Sequence, residues 1–255
     1  MGEIERGMYD GLLIGGLVVA GIVFVTLLWI VAPYGRHVRR GWGPEISARL
    51  GWIFMETVSP VVFLGCFLLG RPELSPALGV LVFLWVGHYG YRAFVFPFRM
   101  RAAGKTMPVV IVGMAVVFNS LNGYLNGRYL GVMDEQYGAG WPGDPRFIVG
   151  VVIFFVGFGI HFHSDGILFR LRGPGETGYK IPRGGGYRWL SCPNYLGEIV
   201  EWIGWAIATW SFAGLYFALW TAANLVPRAR SHHRWYRETF EDYPEERRAV
   251  MPGLF

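Results

Sequence analysis

The sequence is short of charge and short of cysteine. Only 16% of its 255 residues are Asp, Glu, Lys or Arg, against about 25% in an ordinary soluble domain. Most of those charges stand outside long apolar runs, which excludes a soluble globular domain. Two cysteines, Cys66 and Cys192, do not make a disulfide scaffold. There is no HExxH and no CxxC. His161 and His163 are two apart and point to different sides of a helix, and His232 and His233 are adjacent. No metal is expected from such spacing. A cleavable leader is not apparent either. The first apolar run follows the mixed-charge "EIERGMYD" and lacks a clear cleavage signal. The basic residues lie in short loops, which argues against a nucleic-acid partner.

What the chain does have is apolar sequence: 53% hydrophobic residues, with 11 Trp, 13 Tyr and 19 Phe. Runs near 11–33, 50–70, 76–97, 107–130 and 146–168 each approach the roughly 20 residues a membrane-spanning helix needs. A sixth run, 195–226, is longer than one span and short for two. No barrel pattern is visible, so the spans are helical. Basic residues gather in alternate loops. Arg36, Arg39, Arg40 and Arg49 follow the first run, and Arg99, Arg101 and Lys105 the third. Arg170, Arg172, Lys180, Arg183 and Arg188 follow the fifth, and Arg228, Arg230, Arg234 and Arg237 stand in the tail. The other loops hold little more than Arg71 and Arg146. The positive-inside rule puts the N-terminus outside and the basic loops and C-terminus in the cytoplasm. The run 195–226 must then cross twice or dip and return, as two short helices meeting near 210–214. The expected fold is an all-α polytopic integral membrane protein with seven transmembrane helices, one membrane-embedded domain over 1–255. Its formal net charge of +5 suits anionic headgroups or anionic ligands.

Polar residues inside spans are functional candidates by default. Glu56 sits among Trp52, Phe54, Met55 and Val58, with no basic residue within a helical turn. "GHYGYRAF" carries His88, Tyr89 and Arg92. Asn119, Asn122 and Asn126 recur at spacings of three and four, and His161, His163 and Asp165 close the fifth run. Asn194, Glu198 and Glu201, again four and three apart, share one helical face. Nearly all fall near the middle or the cytoplasmic half, which suggests one polar chamber open to the cytoplasm. Each also has a plainer use: the asparagines can knit helices together, and the glutamates can pair with Arg92 or Arg228. "GPGETG" at 173–178 matches G-x-G-x-x-G, but a dinucleotide fingerprint needs a preceding strand, and this one follows a membrane helix. The loop after the fifth run interleaves its basic residues with Tyr179, Tyr187 and Trp189. Arginines suit phosphates and aromatics suit a planar base, so a nucleotide partner explains the mixture better than topology alone.

These stretches carry a family resemblance. "PNYLGEIVEWIGWAIATWS", "HHRWYRETFEDYPEERRAVMP", "NGYLNGRYL", "GFGIHFHSDGILFRLRGPGETGYKIPRGG" and "HYGYRAFVF" resemble the steroid 5-alpha-reductases, membrane enzymes dependent on NADPH. The resemblance runs over nearly all the chain from Ala32 and is most specific from about Asn122. It implies seven transmembrane helices around NADPH and a hydrophobic 4-ene-3-one steroid or related enone lipid. It implies that Glu56 serves the substrate carbonyl and that Tyr89 donates a proton to it or polarises it. Trp52, Glu56 and Tyr89 are the expected substrate contacts. The implied cofactor contacts are Arg92, Asn119, Asp165, Arg172, Tyr179, Asn194, Glu198, Arg228, His232 and Tyr236, mostly in the part from about residue 107. Glu201 is expected to support these residues, and Trp202 to lie near them. Met55 stands where the family can carry glutamine, and His161 where asparagine is common; both bear on the substrate more than on the reaction.

The implied reaction is reduction of the enone, with hydride reaching C5 and negative charge developing on the C3 oxygen. Donors aimed at that oxygen stabilise it in a site shielded from water. Tyr89 is the expected donor, and Glu56 shares a proton with the carbonyl or orients Tyr89. Rival readings are a reductase of 2-enoyl lipids and a membrane methyltransferase, whose C-terminal parts look similar, and a transporter with a midplane polar site. A monomer in contact with membrane lipid is expected. Short connections lean toward a bacterial inner membrane rather than the endoplasmic reticulum.

Overall fold

The computed structural model describes residues 1–33, 35–37, 41–100, 104–173, 176 and 178–251. Arg39, Arg40 and Arg101 of the basic loops, and Pro174, Gly175 and Thr177 of the glycine-rich stretch, lie outside the described residues. The helices are α1 (Glu3–Trp29), α2 (Ala48–Leu69), α3 (Pro76–Gly90), α4 (Phe96–Arg99), α5 (Val109–Val132), α6 (Pro145–Arg170), α7 (Pro193–Thr209) and α8 (Phe212–Thr239). Five segments among the described residues are long and apolar enough to cross a membrane: Glu3–Trp29, Ala48–Leu69, Pro76–Arg99, Val109–Val132 and Pro145–Arg170. Leu68, Met114 and Val152 on these segments are exposed, a liability in water and the natural state against lipid. The protein is an all-α polytopic membrane protein.

The sixth apolar run breaks at Trp210, whose φ of 45° reverses the chain inside the interval the loop charges pointed to. Only the first of the two helices is short. α7 has 17 residues, whereas α8 has 28 and runs through Pro227 into the basic tail. Pro227 supplies no amide donor, but its carbonyl accepts from Ser231 Oγ at 3.1 Å.

The chain groups into two compact units, Met1–Gly16 with Ala32–Ile148 and Ala208–Ala213, and Leu17–Val31 with Val149–Ile207 and Gly214–Phe255. In the first, a short antiparallel ribbon of β1 (Glu45–Ser47) and β2 (Thr106–Pro108) starts α2 and α5 side by side. Ala48 N donates to Lys105 O, and Val109 N to Pro44 O, both at 2.9 Å. The two helices then run in parallel. Gly123 meets Ser59, Gly127 meets Phe63 and Gly131 meets Phe67. A Cβ on Gly127 would fall on the Phe63 carbonyl, so small residues every four positions are what let the two backbones touch. α3 begins at the cap of Ser75, whose Oγ accepts from Leu78 N at 3.2 Å, with Pro76 at the first helical position. It ends in a π-helical turn, Tyr91–Val95, that leads into α4. Carbonyls at the α7–α8 reversal are capped by side chains. Tyr137 Oη and Gln136 Nε2 donate to Thr209 O at 2.8 and 3.0 Å, and Trp141 Nε1 donates to Ala208 O at 3.1 Å.

The second unit is built on α6, α7 and α8. Here the glycine seam is antiparallel: Gly197 lies on His161, and Gly204 on Phe154. Trp202 is fully buried with its ring centroid 4.0 Å from that of Phe217. The chain end is tied in by backbone bonds, Ser191 N to Arg248 O at 2.8 Å and Cys192 N to Ala249 O at 3.0 Å. Cys192, Ile199, Ala229 and Val250 form a core beneath them.

Candidate active site

In the first unit, Trp52 and Glu56 are four residues apart on α2 and so share a face. The π turn after α3 brings Arg92 to that face. Its Nη2 lies 3.4 Å from Glu56 Oε1, with both side chains 12% exposed. Trp52 Nε1 donates to Arg92 O at 3.1 Å. The guanidinium carbon stands 4.7 Å from the ring centroids of both Trp52 and Phe96, close enough for cation–π attraction. Asn119 Nδ2 donates to Met55 O at 2.7 Å, which fastens α5 beside Glu56. Tyr89 is buried, its ring 5.4 Å from Trp85 and 5.1 Å from His88. Trp52, Glu56 and Arg92 are therefore one cluster, with Asn119 at its margin. Glu56 has no basic residue within a helical turn on α2; its cation comes from 36 residues further on.

In the second unit, three helices contribute to a buried polar array. On α6, His161 Nε2 lies 3.1 Å from Asp165 Oδ2. On α7, Asn194 Nδ2 donates to Asp165 Oδ1 at 3.1 Å, and Glu201 Oε2 lies 3.5 Å from His161 Nδ1. Glu198 is half-buried one turn past Asn194. On α8, Arg228, His232 and Tyr236 are all buried and four residues apart. Tyr195 joins α7 to α8, since its hydroxyl accepts from Arg228 Nε at 3.1 Å and lies 3.1 Å from His232 Nε2. Tyr236 stacks on Tyr243 at 5.2 Å with an angle of 7°. Trp202 packs as a core residue. Arg172 and Tyr179 lie on a more exposed loop: Arg172 Nη1 donates to Gly178 O at 2.9 Å, and Tyr179 sits edge-on to Trp235 at 5.0 Å.

Tyr195 and Arg247 escaped the sequence reading. Tyr195 was visible as the aromatic between Asn194 and Glu198. Arg247 is one of two adjacent arginines in "EERRAVMP" that sequence does not tell apart. The structure does, because Arg247 is 3% exposed and Arg248 is exposed. Neither Nε nor Nη1 of Arg247 has a hydrogen-bond partner among the described residues, although its guanidinium lies 5.2 Å from the Tyr243 ring. A buried cation with unmet donors suits an anion. In the same unit, burial pushes the Tyr187 phenol well above its ordinary range. A surface hollow of about 580 Å³ beside Glu5, Met8 and Tyr124 is lined by none of the candidate residues.

The family description 3-oxo-5-alpha-steroid 4-dehydrogenase matches residues 105–255, more than half of the chain. This chain belongs to that family. The steroid 5-alpha-reductase DET2 of Arabidopsis thaliana is 42% identical over 237 residues, covering 91% of this chain and 90% of the relative. The 3-oxo-5-alpha-steroid 4-dehydrogenase 1 of Bos taurus is 40% identical over 256 residues, with 98% of each chain covered. The Homo sapiens protein of the same name is 42% identical over 224 residues, 87% of this chain and 86% of its own. These 3-oxo-5-alpha-steroid 4-dehydrogenase relatives come from plants and animals, and they lend a bacterial origin no support.

Proposed function

We propose that this protein reduces the 4,5 double bond of 3-oxo-4-ene steroids to give 5-alpha-3-oxosteroids, with NADPH as reductant. The observation that supports this reading most is end-to-end similarity to the bovine 3-oxo-5-alpha-steroid 4-dehydrogenase 1. NADPH, when bound, supplies hydride for C5. The chain's own residues bind, orient and polarise. Tyr89 donates a hydrogen bond to the C3 oxygen as negative charge develops there, in surroundings already dry and aromatic. Glu56 shares a proton with that carbonyl or orients Tyr89. Arg92, held between Trp52 and Phe96, fixes the Glu56 carboxyl group. Trp52, Glu56 and Tyr89 contact the substrate.

Asp165, Asn194, Glu198, Arg228, His232 and Tyr236 hold the cofactor, with Arg172 and Tyr179 as its loop contacts and Arg92 and Asn119 as further ones. The residues present fit a dinucleotide: a buried carboxylate with part-buried amide and hydroxyl groups suits its ribose and nicotinamide, and the unmet donors of Arg247 suit a phosphate. Seven crossings, with α7 and α8 as the last two, an outside N-terminus and a cytoplasmic C-terminus complete the reading.

The test uses protein purified in detergent, 4-deuterated NADPH and testosterone or progesterone, with products followed by mass spectrometry. Deuterium at C5 of a 5α-reduced product, lost in Glu56→Gln, is the expected result. Cofactor binding without steroid turnover would redirect the search to other enones. Neither binding nor turnover in folded protein would overturn the reductase reading.

A further inference from the structure

The C-terminal half of α8 has two unlike faces. Arg228, His232 and Tyr236 are buried, whereas Arg230, Arg234 and Arg237 are exposed. At 3.6 residues per turn the two sets are centred roughly 160° apart. The exposed set is joined by Arg248 from the end of the chain, whose backbone is fixed by its amide's bond to Trp189 O at 2.9 Å. Arg230, His233, Arg234, Arg237 and Arg248 line a groove of about 530 Å³, with Glu238 its one acidic lining residue. Among the described residues, none of the four arginine side chains is in an ion pair. The positive field is felt locally: burial, with the charges of Arg237 and Arg248, holds the His233 imidazole below its ordinary value. Four uncompensated guanidinium groups around one hollow suit a phosphate.

Where the groove lies points to the source of that phosphate. α8 is apolar as far as Val226, with Leu215 and Leu219 exposed, and turns basic at Arg228. The groove therefore begins where the helix leaves the apolar stretch, and clusters of arginine just cytoplasmic of a membrane helix attract anionic lipid. Trp189, bonded through its carbonyl to Arg248, is 64% exposed. Exposed tryptophan is typical of the membrane–water interface. We propose that this groove binds the phosphate of an anionic glycerophospholipid headgroup, on the side of α8 turned away from the cofactor residues. The site rests on the membrane placement of α8 and not on the identity of the reaction.

Native mass spectrometry of detergent-purified protein, offered phosphatidylglycerol and phosphatidylcholine in equal amounts, tests it. Phosphatidylglycerol should be retained over phosphatidylcholine by about fivefold or more. Arg234→Gln with Arg237→Gln should abolish that preference. Lys180→Gln with Arg183→Gln, which removes the same charge from another cytoplasmic segment, should keep it. Thermal unfolding of both variants checks the fold. If the first pair does not fold, Arg230→Gln with Arg248→Gln replaces it with the same expected loss. Equal retention of the two lipids, or equal loss in both double variants, overturns the proposal. So does displacement by millimolar inorganic phosphate, which would make the groove a free-anion site. Displacement by 2′,5′-ADP also overturns it, by assigning the groove to the cofactor. Steroid turnover is read separately, so failure of the reductase reading would leave this result standing.

Discussion

The seam between α2 and α5 and the seam between α6 and α7 solve the same packing problem with different polar groups. Both bring backbones into contact through glycine, the first in parallel and the second antiparallel. The first is fastened by a neutral amide, Asn119 donating to Met55 O, while Asn126 Nδ2 donates to Asn122 Oδ1 at 3.0 Å within α5. The second encloses His161, Asp165 and Glu201, each at most 3% exposed by side chain. Amides suffice to hold helices together in lipid. Ionisable groups at that depth are costly, so the second seam is, among the described residues, the one whose polar groups exceed what adhesion needs. Beside the first seam, the part-buried pair of Glu56 with Arg92 holds the carboxyl group proposed for the substrate carbonyl.

Substitution at the glycines should give the largest effect and break the part the seams share. Gly127→Val and Gly197→Val each place a side chain on a neighbouring backbone. Each should destabilise by more than the roughly 1–3 kcal/mol of ordinary overpacking. The measurement is the yield of monodisperse protein and its thermal unfolding in detergent. Next, Glu56→Gln should lower kcat by about a hundredfold or more while leaving the Kd for NADPH unchanged, read by single-turnover kinetics and cofactor titration. The contrast between seams is sharpened by a third pair. Asp165→Asn should weaken NADPH binding by about tenfold or more, whereas Asn126→Ala should cost about 1 kcal/mol of stability and leave binding alone. Isothermal titration and unfolding curves on the two variants separate these outcomes.

The smallest effect lies outside both seams. Asp144 precedes α6 and accepts from Arg146 N at 2.8 Å and Arg146 Nε at 2.9 Å. The Arg146 side chain holds its carboxyl down to about 2, from an ordinary 3.8. A depressed carboxyl stabilises the fold fully above its unfolded value and loses that contribution as pH falls through its folded value. Thermal midpoints should therefore decline slightly between pH 4 and pH 2, a limb that Asp144→Asn flattens.

The apolar periodicity and the loop charges carried most of the fold. They located five apolar spans and the break at Trp210, because both are local properties of the chain. They shortened α8, since a basic tail after Pro227 looks like the end of a membrane helix when its buried side is unseen. Pairings were out of reach. Arg92 meets Glu56 only because α3 opens into a π turn, and nothing in "GYRAFVF" announces that turn. The ribbon of 45–47 with 106–108 is likewise set by two starts brought together from distant positions. Asp165 and Asn194 were legible as polar residues at the ends of apolar runs, whereas Arg228 and His232 stood in the basic tail and were joined to them only by the family resemblance; Tyr195 as the link between α7 and α8 was not foreseen.

The reversal at Trp210 has a practical bearing on how the crossings can be counted. Reporter fusions are the usual way to decide which side of a membrane a loop faces. A reporter spliced after Trp210 would dislodge the carbonyl caps supplied by Gln136, Tyr137 and Trp141, and its signal would describe a damaged chain. Leu74, 78% exposed between α2 and α3, and Asp242, exposed beyond α8, are the positions at which a fusion can report on the intact protein.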